Sequence, residues 1–464
     1  MSGISNLFNI GSSGLFAFQE ALAVTAHNMA NVNTKGYSKQ EAVLAETSPL
    51  NGRPGQIGTG VEVSAIRRHV DSFINTQLLA SRQQLGQNDA SNSALSDIQR
   101  LFGDSTDQSL GTDLNNLFNA FQDVATDPSN VTARSVLLSN AQTIVERFHQ
   151  ADSTLTTQRL SLDQEIGQTV TTVNTLTLQV SALNDKISQA ELSGQQANDL
   201  RDQRQRLVND LGEQMNVSSL EDSSGQLTLF VGSGQVLVDK NTTHALVAVA
   251  NSGNSGLFDI HYQGIGGSSV NMTPVISGGR LKGLLDARDA TIPDVRAKLD
   301  ALASNLVSEV NTQHQSGVGL DGSTGLNFFA PSGVTARTIA VAITDGRKIA
   351  ASDTSAGLPG NNVNALALAN LQQKSISALG NATLNGYYQT AASSVGSDAQ
   401  QAAQDLEAQQ TLQNELEAHW SQVSGVSLDE ELVNMMTYQR AFQASSRIIV
   451  MADELMQTIL TLKQ

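Results

Sequence analysis

The sequence predicts a mainly α-helical protein with a small β-rich domain inserted into it, and three observations support this prediction. Apolar residues recur every seven positions near both chain ends, helical periodicity fills most of the middle, and the apolar period falls to two between about 213 and 277. Because early and late segments pair in each layer, the predicted domains are nested and discontinuous. The predicted boundaries are 1–68 plus 427–464 for a terminal helical coiled-coil region, 69–212 plus 278–426 for a long-helix bundle body, and 213–277 for an outer β-rich domain.

The first helix is predicted from apolar residues at heptad spacing. They are Phe8, Leu15, Leu22 and Met29, with Phe18 on the companion row. Asparagine and glycine residues crowd positions 28–36, where they favour a turn, so the helix is expected to end there. A strand and loop excursion is then expected over 37–66.

The last helix is predicted from the same spacing within residues 427–464. Its heptad row is formed by Leu428, Met435, Phe442, Ile449 and Met456, and its companion row, three places on, by Tyr438, Ala452 and Ile459. Ser427 and Glu430 match a capping box, so the helix is expected to begin near 427. Two terminal rows of this kind suggest that the two helices pack together.

Two interpretations of these rows stay open: a helix pair that closes one molecule, or a surface for assembly between molecules. The last helix is also apolar away from its seam, at Val433, Met436 and Met451 among others, which is more than one partner helix could cover. The first helix contains Gly11 and Gly14 and would be weak in isolation. The assembly interpretation is therefore favoured. The candidate interface residues are Phe8, Leu15, Phe18, Leu22, Met29, Leu428, Leu432, Met435, Tyr438, Phe442, Ile449, Met456 and Ile459.

The body is predicted from helical stripes on both sides of the β-rich domain. A long helix with one buried stripe is expected over 162–187, and helical periodicity resumes at Leu281. A loop and strand segment over 317–360 interrupts the second half, with one strand expected at 339–343. Within the β-rich domain, alternating apolar residues and Gly/Ser/Asn turns predict short antiparallel strands.

Composition excludes several classes of function. The formal net charge is -17 and no cluster of Lys or Arg stands out, which argues against binding to nucleic acid. The chain contains no cysteine, so disulfides, thiolate metal sites and thiol nucleophiles are ruled out. No apolar run approaches the roughly 18 residues of a membrane span.

Candidate catalytic or metal-binding motifs are weak. Gly317, Gly319 and Gly322 match the spacing of a dinucleotide fingerprint, but a helix precedes them and a loop follows, so a turn is expected. The seven histidines are scattered, and none has the spacing of a zinc motif. The sequence therefore predicts neither an enzyme nor a cofactor or metal site.

The two chain ends resemble a known family. Near the start, the residues that carry the likeness include Asn28, Asn31, Asn33, Thr34, Gly36 and Tyr37. Near the end, they lie in ELVNMMTYQRAFQASSRIIVMADELMQTIL. Both stretches resemble the terminal motifs of the axial proteins of the bacterial flagellum, which comprise rod, hook and hook-associated proteins.

The middle of the chain is similar to the hook-associated members found at the junction between hook and filament. The similar segments are LRDQRQRLVNDL at 200–211, interpreted as the end of the long helix, NTQHQSGVGLDGSTGLNFF at 311–329, DGRKIAAS at 345–352 and SGVSLDEEL at 424–432. Larger members carry an additional β domain after the segment that matches 327–329. Here helical periodicity returns at Val363, so that domain is expected to be absent.

The resemblance implies an extracellular structural subunit of the flagellum, exported unfolded by the flagellar type III apparatus, with an export chaperone on its C-terminal helix. It also implies a homo-oligomeric ring or tube that meets hook protein on one side and the next hook-associated protein or the filament on the other. Two alternatives stay open. One is a hook or distal rod subunit of the same family, and the other is an exported adhesin or enzyme that acts through residues 213–277.

Overall fold

The computed structural model describes residues 2–52, 55–102, 109–192, 194–222, 224–232, 234–264 and 267–462. Parts of three predicted features lie outside these residues: Pro54 of the loop in the 37–66 excursion, Ser233 of a turn in the β-rich domain, and the last two residues of the C-terminal helix. Within the described part, no helix combines the length and apolar character needed to cross a membrane.

The two chain ends form one antiparallel helix pair, as the heptad rows predict. Helix α1 spans Ser2–Ala30 and helix α10 spans Leu428–Leu462. Between α1 and the body, the excursion is built from antiparallel strands, β1 (Gln40–Glu46) with β4 (Val61–Arg68) and β2 (Leu50–Gly52) with β3 (Gly55–Ile57). Strands β1 and β4 lie beside α1, which joins the excursion to the helix pair.

The body consists of long and short helices on both sides of the strand region. They are α2 (Ser72–Leu101), α3 (Leu110–Thr126), α4 (Val131–Glu191), α5 (Asn198–Gln214), α6 (Gly279–Asp286), α7 (Ile292–Gln315), α8 (Val363–Asn370) and α9 (Leu384–Ser424). Several begin at side chains that cap free backbone N–H groups; Asn130, for example, accepts from Thr132 and Ala133 at the start of α4. Helix α9 packs along α2, so the two halves of the body close on each other.

The long helix differs from its prediction at both ends. It was expected over 162–187, but α4 has 61 residues and begins at Val131, because the buried positions continue through Leu137, Ile144 and Leu155. The prediction that it ends in the segment 200–211 is wrong. That segment belongs to α5, which starts a new helix after a break at the end of α4.

The strand region follows the predicted change of period. Strands β5 (Val217–Glu221), β6 (Leu227–Val231), β7 (Gln235–Asp239) and β8 (Thr242–Thr243) form one antiparallel sheet. Strands β9 (Leu246–Ala250), β10 (Phe258–Gln263) and β11 (Ser269–Asn271) form a second, with β10 in the centre.

Three polar side chains of α4 attach the strand region to the helical body. Asn184 donates to the carbonyls of Leu227 and Lys240 (2.7 Å each), and Asn174 forms a two-way amide pair with the backbone of Leu246 (2.7 and 2.9 Å). Asp163 accepts from the backbone N–H of Phe258 at 2.8 Å. Successive positions among 163, 174 and 184 lie about three helical turns apart, so one side of α4 holds both sheets of the strand region.

The hydrophobic cores divide the molecule into two units. One continuous core joins α2–α9 to the strand region and includes Leu229, Leu246 and Ile260 of the strands. A separate small core lies in the terminal region and centres on Ala21, Val24 and Ala42. The strands therefore share the core of the body, and the terminal region does not.

The predicted strand at 339–343 is wrong. These residues form only an isolated bridge, Phe329 with Val341. The short sheet of this segment instead pairs β12 (Val318–Gly319) with β13 (Ala350–Ser352). The prediction was wrong because alternating apolar residues also occur in a loop. Ile339 and Ile343 are each buried in the core although the segment between them is not a strand. Of the glycines at the dinucleotide-like spacing, Gly317 and Gly322 lie in bends after α7, whereas Gly319 belongs to β12.

Two short connectors join the terminal region to the body. Residues 69–71 separate β4 from α2, and residues 425–427 separate α9 from α10. They lie close together, since His69 Nδ1 is 2.9 Å from the carbonyl oxygen of Val423 and Lys39 N–H donates to the carbonyl of Ser424.

Candidate assembly surface

The two terminal helices approach each other closely through small residues. A Cβ atom on Gly14 would lie 2.6 Å from Ser445 Oγ, and one on Gly11 would lie 2.7 Å from Ile449 Cγ1. Ala17 and Ala21 continue this side of α1 and are buried. The glycines that weaken α1 as an isolated helix are therefore what lets α10 come close.

The row of α10 that is buried most deeply against α1 is the predicted companion row, and the row of large apolar residues flanks it. Glu431, Ser445 and Ala452 are buried, and half-buried Tyr438 completes the same seven-residue spacing, three places along from the large apolar residues. Tyr438 stacks on Phe18 with ring centroids 6.5 Å apart. The pair is thus closed by small and polar residues together with Tyr438.

The predicted interface residues lie around the edges of this contact and on its outer side. Five are exposed: Phe8, Leu428, Leu432, Met456 and Ile459. Eight are half-buried: Leu15, Phe18, Leu22, Met29, Met435, Tyr438, Phe442 and Ile449. Further large apolar residues of the pair, missing from the predicted set, are also exposed: Leu7, Phe16, Val433, Met436, Val450, Met451, Leu455 and Leu460.

Asn28 of the family motif folds the end of α1 onto β1. Its side-chain amide donates to the carbonyl of Gln40 (2.8 Å), and its Oδ1 accepts from the N–H of Gln40 (3.0 Å) and the hydroxyl of Tyr37 (2.8 Å). Burial, with the nearby carboxylates of Asp199, Asp202 and Glu431, raises the pKa of the Tyr37 hydroxyl, which stays a neutral donor.

The other motif residues build the turn between α1 and β1. Asn31 donates to the carbonyl of His27 and accepts from Thr34 Oγ1 (3.0 Å each). Gly36 has φ +71°, and a Cβ atom there would lie 2.9 Å from the side chain of Arg206. Asn33 is exposed. The motif therefore shapes this turn and is largely separate from the exposed apolar face.

Hydrogen bonds and an ion pair join helix α5 to the residues that follow this turn. We call the group of residues that forms them the latch; it comprises Ser38, Gln40, Arg68, Asp199 and Asp202. Asp202 is buried and accepts from Ser38 N–H (2.8 Å), Ser38 Oγ (2.9 Å) and Arg68 Nη1 (2.7 Å). Asp199 accepts from Gln40 Nε2 at 2.6 Å. Sequence reasoning missed these two carboxylates, although they lie in or beside the segment 200–211 that it had singled out.

A second polar contact ties the start of α10 to the excursion. Lys39 Nζ donates to Glu430 at 2.8 Å and lies 3.8 Å from buried Glu431. Burial alone would lower the pKa of Lys39, but the hydrogen bond and charge of Glu430 outweigh it, and the pKa is raised. Glu430, expected to close a capping box, thus bonds to the excursion.

No cluster of His, Asp or Glu suited to a metal ion occurs among the residues that the structure covers. What those residues present is an apolar surface on a helix pair held to the body by polar bonds. Such a surface is suited to association with other protein chains.

Comparison with known proteins identifies the family. The family described as "Flagellar hook-associated protein FlgK helical domain" matches residues 95–329, just over half of the chain. "Flagella basal body rod protein" matches residues 8–37, and "Flagellar basal body rod FlgEFG protein C-terminal" matches residues 420–462. These three matches fall on the body, on α1 with its turn, and on α10.

Similar proteins span nearly the whole chain. Flagellar hook-associated protein 1 of Bacillus subtilis is 29% identical over 486 residues, which cover 96% of this chain and 96% of the relative. The Salmonella typhimurium protein of the same name is 26% identical over 555 residues, which cover 99% of this chain and 100% of the relative.

A solved structure shares the fold. The flagellar hook junction protein FlgK from Burkholderia pseudomallei has a TM-score of 0.67 at 19% identity, covering 75% of this chain and 100% of that one. The mainly α fold with an inserted strand region is therefore confirmed. The chain belongs to the family of flagellar hook-associated protein FlgK, and it is a structural subunit of the bacterial flagellum at the junction between hook and filament.

Proposed function

We propose that the chain assembles with identical copies into a ring or tube through the outward apolar faces of α1 and α10. The observation that supports this most is the set of large apolar side chains left exposed on α10 after α1 has packed against it, such as Val433, Met436, Val450 and Met451. Exposed apolar patches on a folded chain mark interaction sites. The ends of the ring would then meet hook protein on one side and the next hook-associated protein or the filament on the other.

The size of α10 is sufficient for this role. A helix of 35 residues is about 50 Å long. Burial of apolar surface contributes about 25 cal/mol per Å², so a few hundred Å² at each neighbour gives several kcal/mol. A ring closes such contacts on both sides of every subunit, which favours assembly over the free chain.

The test compares two aspartate substitutions at equally exposed apolar sites. Met451 on α10 and Leu178 on α4 are each 59% exposed, so neither Met451→Asp nor Leu178→Asp should unfold the chain. In cells that carry only the variant, we expect Met451→Asp to abolish incorporation into flagella and Leu178→Asp to leave it unchanged. Filaments of normal number and length on Met451→Asp cells would overturn the proposal.

We further propose that the chain is exported unfolded through the flagellar type III apparatus and acts outside the cell, with an export chaperone bound to α10 beforehand. The last turns of α10 support this, because Leu455, Met456, Ile459 and Leu460 are all exposed there. Before assembly, this apolar end of the helix would be exposed to the cytoplasm, and a partner with an apolar groove could bind it.

The chaperone proposal is tested by changing Leu455, Ile459 and Leu460 together to serine. This variant should lose a cytoplasmic partner in co-purification from cells blocked in export. Val131→Ser with Val136→Ser, at exposed sites of α4, serves as the control. Equal recovery of the partner with both variants would contradict the proposal.

We infer a mechanical and not a catalytic role for residues 213–277. Support comes from the family, which is structural, and from the strands, whose apolar side chains pack in the core of the body. Changing the exposed Leu220, Val249 and Val270 of these strands to serine should leave motility unchanged. Loss of surface attachment by motile cells of this variant would favour an adhesive role instead.

A further inference from the structure

A cavity of about 420 Å³ lies where the terminal region meets the body. It is bordered by the turn after α1, by α2 and α5, and by the end of α9. We call it the junction cleft and define it by Lys35, Arg68, Arg82, Arg206, Glu417 and Trp420. Its volume falls in the range of protein sites that hold part of another molecule.

The charges that line the junction cleft are incompletely paired. Its carboxylates all have partners: Asp202 bonds to Arg68 (2.7 Å), while Glu417 and Asp210 lie 3.0 and 3.8 Å from Arg82. Lys35 and Arg206 have no carboxylate within 4.0 Å among the residues described, and Arg206 Nη1 reaches only the carbonyls of Lys35 and Gly36 at 3.3 Å. Two cations are therefore free to bind an anionic group.

Apolar and donor groups complete the lining. Trp420 is the only tryptophan of the chain and is half-buried at the cleft, with Val70 exposed nearby. The Nε atom of Arg82 is buried without a hydrogen-bond partner in the described structure. An occupant that satisfies these groups carries a carboxylate beside an apolar side chain.

We propose that the junction cleft receives an acidic segment of a second copy of this chain, an inference that rests on the proposed self-assembly. The chain has 44 acidic residues against 27 Lys and Arg, so a neighbouring copy offers more carboxylates than cations. The free cations of the cleft complement these carboxylates. The cleft also borders Gly425 and Val426, which lead into α10. In a symmetric ring, every neighbour bound along α10 would therefore have the same position relative to the cleft.

Tryptophan fluorescence tests occupation, because the single tryptophan borders the cleft. On assembly of the purified full-length chain, emission should shift to shorter wavelength and quenching by acrylamide should fall about two-fold, as expected when an indole is desolvated. Lys35→Gln with Arg206→Gln should raise the concentration needed for assembly about five-fold. The control is Arg337→Gln, an exposed cation of the body that has no carboxylate partner within the described residues.

A cross-link identifies the occupant. With a photo-reactive benzoylphenylalanine in place of Trp420, irradiation of assembled flagella should give a product that contains two copies of this chain and no other protein. A cross-link to another flagellar protein, or unchanged Trp420 emission in rings seen by electron microscopy, overturns the inference but leaves self-assembly standing. Failure of the unaltered chain to assemble at all contradicts the proposed function itself.

Discussion

The helix pair and the body are held together by opposite kinds of residue. In the body, large side chains such as Leu117, Phe121 and Phe148 are completely buried in one continuous core. In the pair, Gly11 and Gly14 make the contact, and many of the large apolar side chains point outward. Dispersion and apolar burial therefore stabilise the body within one molecule, whereas much of the apolar surface of the pair remains available to other molecules.

The largest effect should come from a cavity in the body. Phe148 on α4 is fully buried, so Phe148→Ala should lower the free energy of unfolding by about 3–5 kcal/mol. Leu160→Ala, at an exposed site of the same helix, should change it by less than about 0.5 kcal/mol. Urea denaturation followed by circular dichroism measures both. Equal changes in the free energy of unfolding for the two variants would contradict the burial of Phe148 in the core and the exposure of Leu160.

The second effect concerns the latch that joins the two units. Asp202→Asn keeps the shape of the side chain but removes the charge that pairs with Arg68, and should cost about 3 kcal/mol locally. We expect faster proteolysis at the connectors 69–71 and 425–427, with the main unfolding transition of the body little changed. Asp210→Asn is the control, since Asp210 is exposed and 3.8 Å from its partner. An unchanged rate of cleavage in Asp202→Asn would show that the latch does not stabilise the contact between the two units.

A third effect should be confined to the helix pair. Gly14→Val places atoms where Ser445 lies, so the helices must separate, at a cost of about 2 kcal/mol. Hydrogen exchange should accelerate in α1 and α10 and stay constant in α4. Gly3→Val makes the same change where no atom lies within 4 Å of the new Cβ position. Equal exchange in the two variants would contradict the close approach of the helices.

The smallest effect is a pH dependence located in the body. Burial lowers the pKa of His314 from 6.5, and the nearby Arg134 acts in the same direction. The ring stays neutral, with Nδ1 2.7 Å from the carbonyl of Leu326 and Nε2 accepting from the N–H of Ala350 at 3.0 Å. Because the folded pKa lies below the unfolded one, this stability is present above pH 6.5 and is lost as the pH falls below it.

The free energy of unfolding should fall by at most about 1.4 kcal/mol for each pH unit below 6.5. Denaturation of the wild-type chain and of His314→Gln between pH 7 and pH 5 measures it, since the variant lacks the titrating group. The slope should be steeper in the wild type. Identical slopes would show that His314 does not contribute.

Sequence periodicity predicted the main elements well where apolar residues repeat over many turns. Both terminal helices, the turn after α1 and the strands of 213–277 all lie where the pattern placed them. Periodicity failed at 339–343, where alternating apolar residues lie in a loop. It also placed the start of the long helix too late, although Leu137, Ile144 and Leu155 continue the buried stripe of α4 towards Val131.

The sequence indicated the inner face of α10 only in part, because the companion row contained Tyr438 and Ala452 but not Glu431 or Ser445. Heptad spacing marks large apolar residues, but Gly14 and Ser445 belong to the inner contact because their small size permits close approach. The partners of Asn28 and Asp202 were equally hidden, since their bonds join positions far apart in sequence. The glycines could have indicated the contact, because Gly11, Gly14, Ala17 and Ala21 lie on one side of a helix.

The two short connectors have a consequence for the transmission of torque through a rotating flagellum. Each has three residues, and they run side by side between the helix pair and the body. Two short chain segments that run side by side resist relative rotation of the two units more than a single segment of the same length would. We therefore expect rotation of the helix pairs to turn the bodies with them, and the hydrogen bonds of the latch to be strained when the two units twist against each other.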